Sequence, residues 1–360
     1  MGKHSFDRYF KIIRGVICTA GPFLYVMTGF IVAAVLLTGC ESKSVSVKSG
    51  KVRIGVTLYD QYDTFLRQLM EEFVREAGDE VDVVSYNASQ SQQTQNAQVK
   101  KMIEEGCDVI CVNLVDRTDP TAVIDAARKA DVPIIFFNRE LVEGDIGRWD
   151  KLFYVGADAA ESGILEGELA ARTCISDITI DKNEDGIIQY VVLEGEAGHQ
   201  DSIVRTEYSV NTLMKNGIRV DKLGYAIANW NRAQAQTKTS QFIENNGDSI
   251  ELILANNDDM ALGAIDAYEA SGMLRSEWPA IFGIDGTDVG LEAVRDDKMV
   301  GTVYNDKEGQ ARAMFRLSMI LANGGSIEDL SGEFDVTDGK YIRLPYAKVT
   351  AANINEYLGR

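Results

Sequence analysis

Histidine is nearly missing from this sequence, with two among 360 residues. His4 lies in a leader described below, so His199 alone remains for the folded part. A metal site built on several imidazoles is excluded, and a His-dependent triad would have to use this one residue. Cysteine is also scarce, five in all, and falls to three when Cys18 goes with the leader and Cys40 is modified. Cys107 and Cys111 are four apart in an apolar strand-like run, about 13 Å along a strand, too far for a disulfide. Cys174 sits on an expected helix, so the three are read as packing thiols and the chain must be held by its core. Basic residues are outnumbered, 36 Lys and Arg against 55 Asp and Glu, for a formal net charge of −19. That balance excludes nucleic acid as a partner, because phosphates need a basic surface. G-x-S-x-G elbows, Walker loops, glycine-rich phosphate cradles and zinc spacings are absent as well.

One long hydrophobic run is present, Val16 to Leu37, preceded by Lys3, Arg8, Lys11 and Arg14 against a single Asp7 and followed by Thr38-Gly39-Cys40. A charged start, an apolar stretch and small residues before a cut mark an export signal over 1–39. An uncleaved membrane anchor is the alternative, since the run is long enough to span a bilayer. Leu-Thr-Gly-Cys resembles a bacterial lipobox, which makes Cys40 the lipidated first residue on the outer face of the membrane. Residues 40–51 form a polar Ser/Lys tether with nothing to bury. With the leader's +3 set aside, the exported part carries about −22, which favours solubility and says nothing more of function.

The remaining 310 or so residues exceed the usual single core and call for two lobes. From Val52 the sequence alternates short apolar runs with amphipathic stretches of about 12 to 17 residues. Strand-like runs begin at Val52, Val81, Val109, Ile134, Phe153, Tyr190, Lys222, Glu251, Ala280, Val300 and Tyr341. Continuous apolar strands with helices between them mean parallel sheets covered on both faces, here two doubly wound Rossmann-like α/β lobes. Ligands are then expected just after the strands, where Asp63, Phe65, Asn113, His199, Asp201, Arg205, Trp230, Asn257, Asp285 and Asn305 fall.

This set has the chemistry of a sugar site. Hydroxyls both donate and accept, which carboxylates, amides and Arg satisfy, while the C–H faces of a pyranose want flat aromatic surface. Each member also has a plainer role: Asp63 and Asp201 as helix N-caps, Asp285 and Asn257 as turn residues, Phe65 and Trp230 as core. Glycoside hydrolysis by Asp201 and Asp285 competes, but nothing in the sequence raises one carboxyl and lowers the other. The reading is therefore a binding protein and not an enzyme.

Several ordered segments, among them RIGVTLYDQYDTF (53–65), VNLVD (112–116), FFNRE (136–140), GEAGHQDSIVR (195–205), NWNRAQA (229–235), ILANNDDMALGA (253–264), FGID (282–285) and GTVYND (301–306), resemble the periplasmic binding proteins of sugar ABC transporters, in particular those for galactose and glucose. The resemblance covers Arg53 to the C-terminus. It implies that Phe65 and Trp230 sandwich the ring and that the eight polar residues above bond its hydroxyls. It also implies two lobes, 52–138 with 306–340 and 139–305 with 341–360, joined by three crossovers near Asn138 to Glu140, Asn305 to Lys307 and Thr337 to Pro345. A monomer that closes on galactose or glucose and delivers it to an ABC permease follows, with presentation to a chemoreceptor or histidine kinase, or a pentose ligand, as the alternatives. Departures lie at Asp60-Gln61-Tyr62 and Gln200, which bear on the entry and the rim.

The loop DKNEDGIIQ, 181–189, matches the front of an EF-hand. Asp181, Asn183 and Asp185 offer side-chain oxygens, Gly186 a sharp bend, Ile187 a carbonyl and Gln189 an amide oxygen. An all-oxygen set favours Ca2+ as a structural ion. The twelfth position is Val192, however, and the chain runs on into a strand. The resemblance assigns the final carboxylate to Glu251.

Overall fold

In the computed structural model, which describes residues 50–359, the apolar runs build two sheets. The leader and Cys40 lie outside the described residues, among which no helix is long and apolar enough to cross a membrane. The first sheet contains β1 (Val52–Leu58), β2 (Val81–Asn87), β3 (Val109–Val112), β4 (Ile134–Phe137), β5 (Leu152–Gly156), β11 (Val336–Thr337) and β12 (Tyr341–Arg343), ordered β11-β12-β5-β4-β3-β1-β2. The second contains β6 (Ile188–Glu194), β7 (Val220–Ile227), β8 (Leu252–Ala255), β9 (Ala280–Asp285), β10 (Gly301–Asn305) and β13 (Tyr346–Thr350), ordered β13-β10-β9-β8-β6-β7. Pairing is parallel except at β11 with β12 and β10 with β13.

Helices α1 (Thr64–Ala77), α2 (Gln92–Glu104), α3 (Thr121–Ala130) and α9 (Lys307–Ala322) cover the first sheet. The second is covered by α4 (Ala159–Ser176), α5 (Gln200–Lys215), α6 (Arg232–Asn246), α7 (Asp258–Ser271) and α8 (Asp288–Arg295). Strand alternation splits each lobe's core in two: in β3, Val109 and Cys111 face one layer of helices while Ile110 and Val112 face the other. Burial on both faces is why these strands are apolar throughout. Cys107 and Cys111 are buried free thiols and Cys174 is partly so; burial pushes them up to about 11, 12 and 11, so all three stay protonated and unreactive.

Two of the three expected crossovers are present: β10 leads through Asn305 and Asp306 into α9, and β12 through Leu344 and Pro345 into β13. The first is displaced. Asn138 to Glu140 is not a crossover, because β5 pairs in parallel with β4 (Phe136 opposite Tyr154) and stays in the first lobe. The chain changes lobes after Gly156, and β12 joins β5 in the first sheet rather than the second. The expected boundaries at 138 and 341 are corrected accordingly. A five-residue apolar strand carries no mark of which sheet it extends; pairing decides it.

In each sheet the chain leaves one strand to both sides, between β1 and β3 and between β6 and β8. Such switch points open a crevice beyond the carboxyl ends of the strands. Here the two crevices face each other.

Candidate functional site

Several residues at the crevice begin helices. Asp63 caps α1, its Oδ1 accepting from Leu66 N at 2.9 Å while Oδ2 accepts from the Tyr59 hydroxyl at 2.8 Å. His199 caps α5, Nδ1 accepting from Asp201 N at 3.1 Å, and Asn257 caps α7, Oδ1 accepting from Met260 N at 2.9 Å. Capping and lining the crevice thus coincide. The N-cap places a polar side chain at the strand end, where a ligand would sit.

Between the lobes is a narrow cavity whose empty space, counting the solvent open at its mouth, is about 360 Å³. Asp63 and Phe65 line it from the first lobe, and His199, Asp201, Arg205, Trp230, Asn257 and Asp285 from the second. Asn113 and Asn305 are not on its wall. Asn113 is fully buried behind it, donating to Phe137 O at 3.2 Å and Asn138 Oδ1 at 3.1 Å and accepting from Tyr59 N at 3.2 Å. Asn305 is taken up by Gln310, whose Nε2 donates to its Oδ1 at 2.5 Å. Sequence reasoning missed Tyr59, Asn138 and Arg139 as lining residues. Their position just after β1 and β4 was the available signal.

The wall holds unmet donors. His199 accepts through Nδ1, which puts its proton on Nε2, and that buried atom has no partner; Arg205 Nε has none either. Burial pulls the His199 imidazole down to about 4, so it is a neutral donor at pH 7. Arg205 is otherwise fixed: Nη1 donates to Asn256 O at 2.7 Å and Nη2 to the Tyr346 hydroxyl at 3.1 Å, and Nη1 stands 3.6 Å from Asp285 Oδ1. Burial pushes the Asp63 and Asp285 carboxyls up, opposed at Asp63 by the Leu66 amide and Tyr59 hydroxyl and at Asp285 by Arg205. The Trp230 ring meets His199 edge to face at 5.5 Å between centroids. It can do so because residue 195 is glycine: a Cβ there would fall 2.3 Å from the indole. Backbone strain gathers on the same wall, with Asn138 at φ 59°, Trp230 at 59° and Asp285 at 113°, each costing on the order of 1 to 3 kcal/mol.

A family model described as a periplasmic binding protein domain matches residues 54–326, most of the chain. The chain belongs to this family. Periplasmic binding proteins are solute-binding proteins rather than enzymes, and the relatives vary in ligand. A D-galactose/methyl-galactoside binding periplasmic protein of Haemophilus influenzae is 33% identical over 330 residues, covering 91% of this chain and 97% of that protein. A xylitol-binding protein of Mycolicibacterium smegmatis is 26% identical, covering 81% and 78%. Among solved structures, an ABC transporter solute binding protein of Bacillus halodurans with bound myo-inositol superposes with a TM-score of 0.72 at 28% identity, covering 87% of this chain and 99% of that one.

As in a binding protein closed on its cleft, side chains of the two lobes meet across it. Arg139 Nη2 donates to Glu196 Oε2 at 2.8 Å, Thr64 Oγ1 to Asp259 Oδ2 at 2.6 Å, Asp288 N to Gln68 Oε1 at 3.3 Å and Lys307 Nζ to Asp288 Oδ1 at 3.1 Å. Arg139 also lies over the Tyr59 ring, 3.6 Å from its centroid, and donates to Val115 O at 2.9 Å. Glu196, Arg139, Tyr59 and Asp63 therefore form one chain from the rim of the second lobe to the cavity.

The 181–189 loop sits at the other end of β6 from the cavity, roughly 20 Å away across a seven-residue strand. β8 lies beside β6, and the Glu251 carboxylate reaches the loop, accepting from Lys182 N at 2.6 Å and Gln189 N at 2.9 Å. Asp181 accepts from Asp185 N at 3.1 Å and Gly186 N at 2.8 Å, the turn closing at Gly186 with φ 73°. Asn183 Nδ2 and Gln189 Nε2 both donate to Asp185 Oδ2, at 3.1 and 3.0 Å. Turning either amide over presents oxygen at the same place. Among the described residues no three His, Cys, Asp or Glu side chains stand close enough to hold a metal unaided. The loop fits a hard cation only with the Asn183 and Gln189 amides and the Ile187 carbonyl added to its carboxylates.

Proposed function

We propose that this protein is an extracytoplasmic receptor for a pyranose hexose, galactose or glucose, which closes on its sugar and delivers it to an ABC permease. The observation that carries this reading is the unmet, buried polar chemistry of the cavity between Phe65 and Trp230. Neutral His199 and Arg205 hold donors without partners, and carboxylates surround them. Ring hydroxyls both donate and accept, so a sugar meets both needs at once, while its C–H faces cover the two aromatics. The likeness to the D-galactose/methyl-galactoside binding protein of Haemophilus influenzae supports a hexose ring. Cross-lobe pairs such as Arg139 with Glu196 favour the closed form, which is the shape a permease would read.

Titrating Trp fluorescence with galactose, glucose, ribose, xylose and arabinose tests this. Saturable change with a hexose at micromolar or lower concentration, and far weaker response to pentoses, is expected; no response to any hexose overturns it. Export and tethering through lipidated Cys40 belong to the same reading, and metabolic labelling with a fatty acid, lost in Cys40→Ser, is the check.

We further propose Ca2+ in the 181–189 loop, held by Asp181, Asn183, Asp185, the Ile187 carbonyl, Gln189 and Glu251, as a clip on the second lobe. The ion would join Glu251 to the loop at the foot of β6, sharing its charge among the Asp181, Asp185 and Glu251 carboxylates and the amide and carbonyl oxygens. Calcium-free protein should melt several degrees lower than calcium-loaded protein with little change in sugar Kd. Identical melting curves would refute the clip.

A further inference from the structure

Three residues on the wall of the hexose cavity, Tyr59, Asp63 and Trp230, also line a neighbouring, larger cavity at the cleft mouth, with about 840 Å³ of empty space counting the open solvent. Its lips come from both lobes. Asp60, Tyr62 and Gln90 stand on the first, Asn229, Asn231 and Gln234 on the second. Neither lip is loose chain. On the first, Ser89 and Gln90 take φ 50° and 61°, with Ser89 N donating to Asn87 Oδ1 at 2.9 Å and Gln90 Nε2 to Asp60 Oδ2 at 2.8 Å. On the second, Asn229 and Trp230 take φ 51° and 59°, and Asn229 Nδ2 donates to Gln234 Oε1 at 2.8 Å. Strained non-glycine backbone on both sides of one opening marks a shaped surface. The chemistry repeats that of the inner cavity: amides and a carboxylate for hydroxyls, and one aromatic, Tyr62, which is 81% exposed and so has its ring free.

Resting on the hexose reading above, we propose that this outer cavity is a second subsite that takes a sugar or polyol joined to the bound hexose, with Tyr62 stacking on it and the lip amides bonding its hydroxyls. The protein would then bind disaccharides or hexosyl polyols in the closed form.

The test is calorimetric titration of the full chain with galactose and glucose and with lactose, melibiose, maltose, isomaltose and galactosylglycerol. At least one of the latter should bind within about thirtyfold of its monosaccharide, and Tyr62→Ala should weaken that ligand about tenfold while moving the monosaccharide less than about twofold. Tyr62 is exposed, so the variant folds. Monosaccharide binding with every longer ligand beyond that limit, or a Tyr62→Ala loss equal for both, overturns the subsite and leaves the hexose reading standing. Absence of monosaccharide binding brings down the hexose reading itself.

Discussion

The two lobes present differently prepared surfaces to the cleft. In the first, the polar atoms are already matched: both Asp63 oxygens accept hydrogen bonds, Asn113 is bonded on three sides, and Arg139 is taken up by Val115, Tyr59 and Glu196. In the second, His199 Nε2 and Arg205 Nε are buried without partners. Unmatched donors gain most from a ligand, because they have no hydrogen bond to give up. On the reading proposed above, ligand energy would be concentrated in the second lobe, and the first lobe, already satisfied, would act as the cover that closes over what the second has bound.

The largest effect that could break this contrast is at the stacking surfaces. Trp230→Ala should weaken hexose binding by about 1 to 3 kcal/mol, roughly ten- to hundredfold, with a modest change in melting temperature, since the indole lies at the edge of the second core. Phe65→Ala should instead lower stability markedly, by about 3 to 5 kcal/mol, because Phe65 is 4% exposed within the first core. Calorimetry and thermal melts on both variants decide it; equal loss of affinity and equal loss of stability in the two would erase the distinction. Gly195→Ala probes the same indole from behind. Its Cβ would strike the ring, so a loss of roughly tenfold in affinity is expected, with the fold kept.

The second lobe's share of the site was the more legible in the sequence, for a physical reason. His199, Asp201, Arg205, Asn257 and Asp285 lie at or after the ends of the apolar strands β6, β8 and β9, so the strand-end rule finds them; Trp230 follows the more polar edge strand β7, and all six line the cavity. On the first lobe the same rule reached Asn138 and Arg139, yet neither type announces a sugar contact. Arg139 acts by stacking on Tyr59 and crossing to Glu196, contacts that exist only once β1, β4 and β6 are placed. Asn113 lies behind the wall because its amide is taken up by Phe137 O and Asn138 Oδ1, contacts that no local pattern in the sequence announces. The doubly wound fold was plain from the apolar strands, whereas lobe membership was not. β5 could have extended either sheet, and β13, antiparallel and only partly buried after Pro345, lacks the continuous apolar signature of central strands such as β3, β4, β8 and β9.

A smaller effect concerns the join between the lobes. Glu196 is about half exposed, so its pair with Arg139 is worth only about 0.5 to 1 kcal/mol. Glu196→Gln should raise the sugar off-rate two- to fivefold and leave the on-rate nearly unchanged, and its affinity should become less sensitive to salt. Stopped-flow fluorescence at low and high ionic strength measures both. An unchanged off-rate would mean that closure rests on the Thr64 and Gln68 contacts, and the first lobe would be a passive cover.

The smallest expected effect on sugar affinity is at Glu166, and it tests whether the second lobe's unmatched groups serve binding alone. Glu166 is fully buried in α4, and burial pushes it up to about 8, opposed by Arg205, the Ser209 hydroxyl and the Ala255 amide. The folded protein thus holds a proton that the unfolded chain releases near the ordinary value of 4.5. The stability this supplies is full below 4.5 and is lost as pH rises through about 8. Asp258, pushed by burial to about 7, adds in the same direction. The melting temperature should therefore fall between pH 5 and 8. Glu166→Gln keeps the shape of the protonated acid, so it should flatten that fall while leaving hexose Kd at neutral pH within about twofold. A Gln variant with the wild-type slope would place the titration elsewhere. One that loses sugar would make Glu166 part of the site through Arg205, and the second lobe's buried charges would then form a single unit with the cavity.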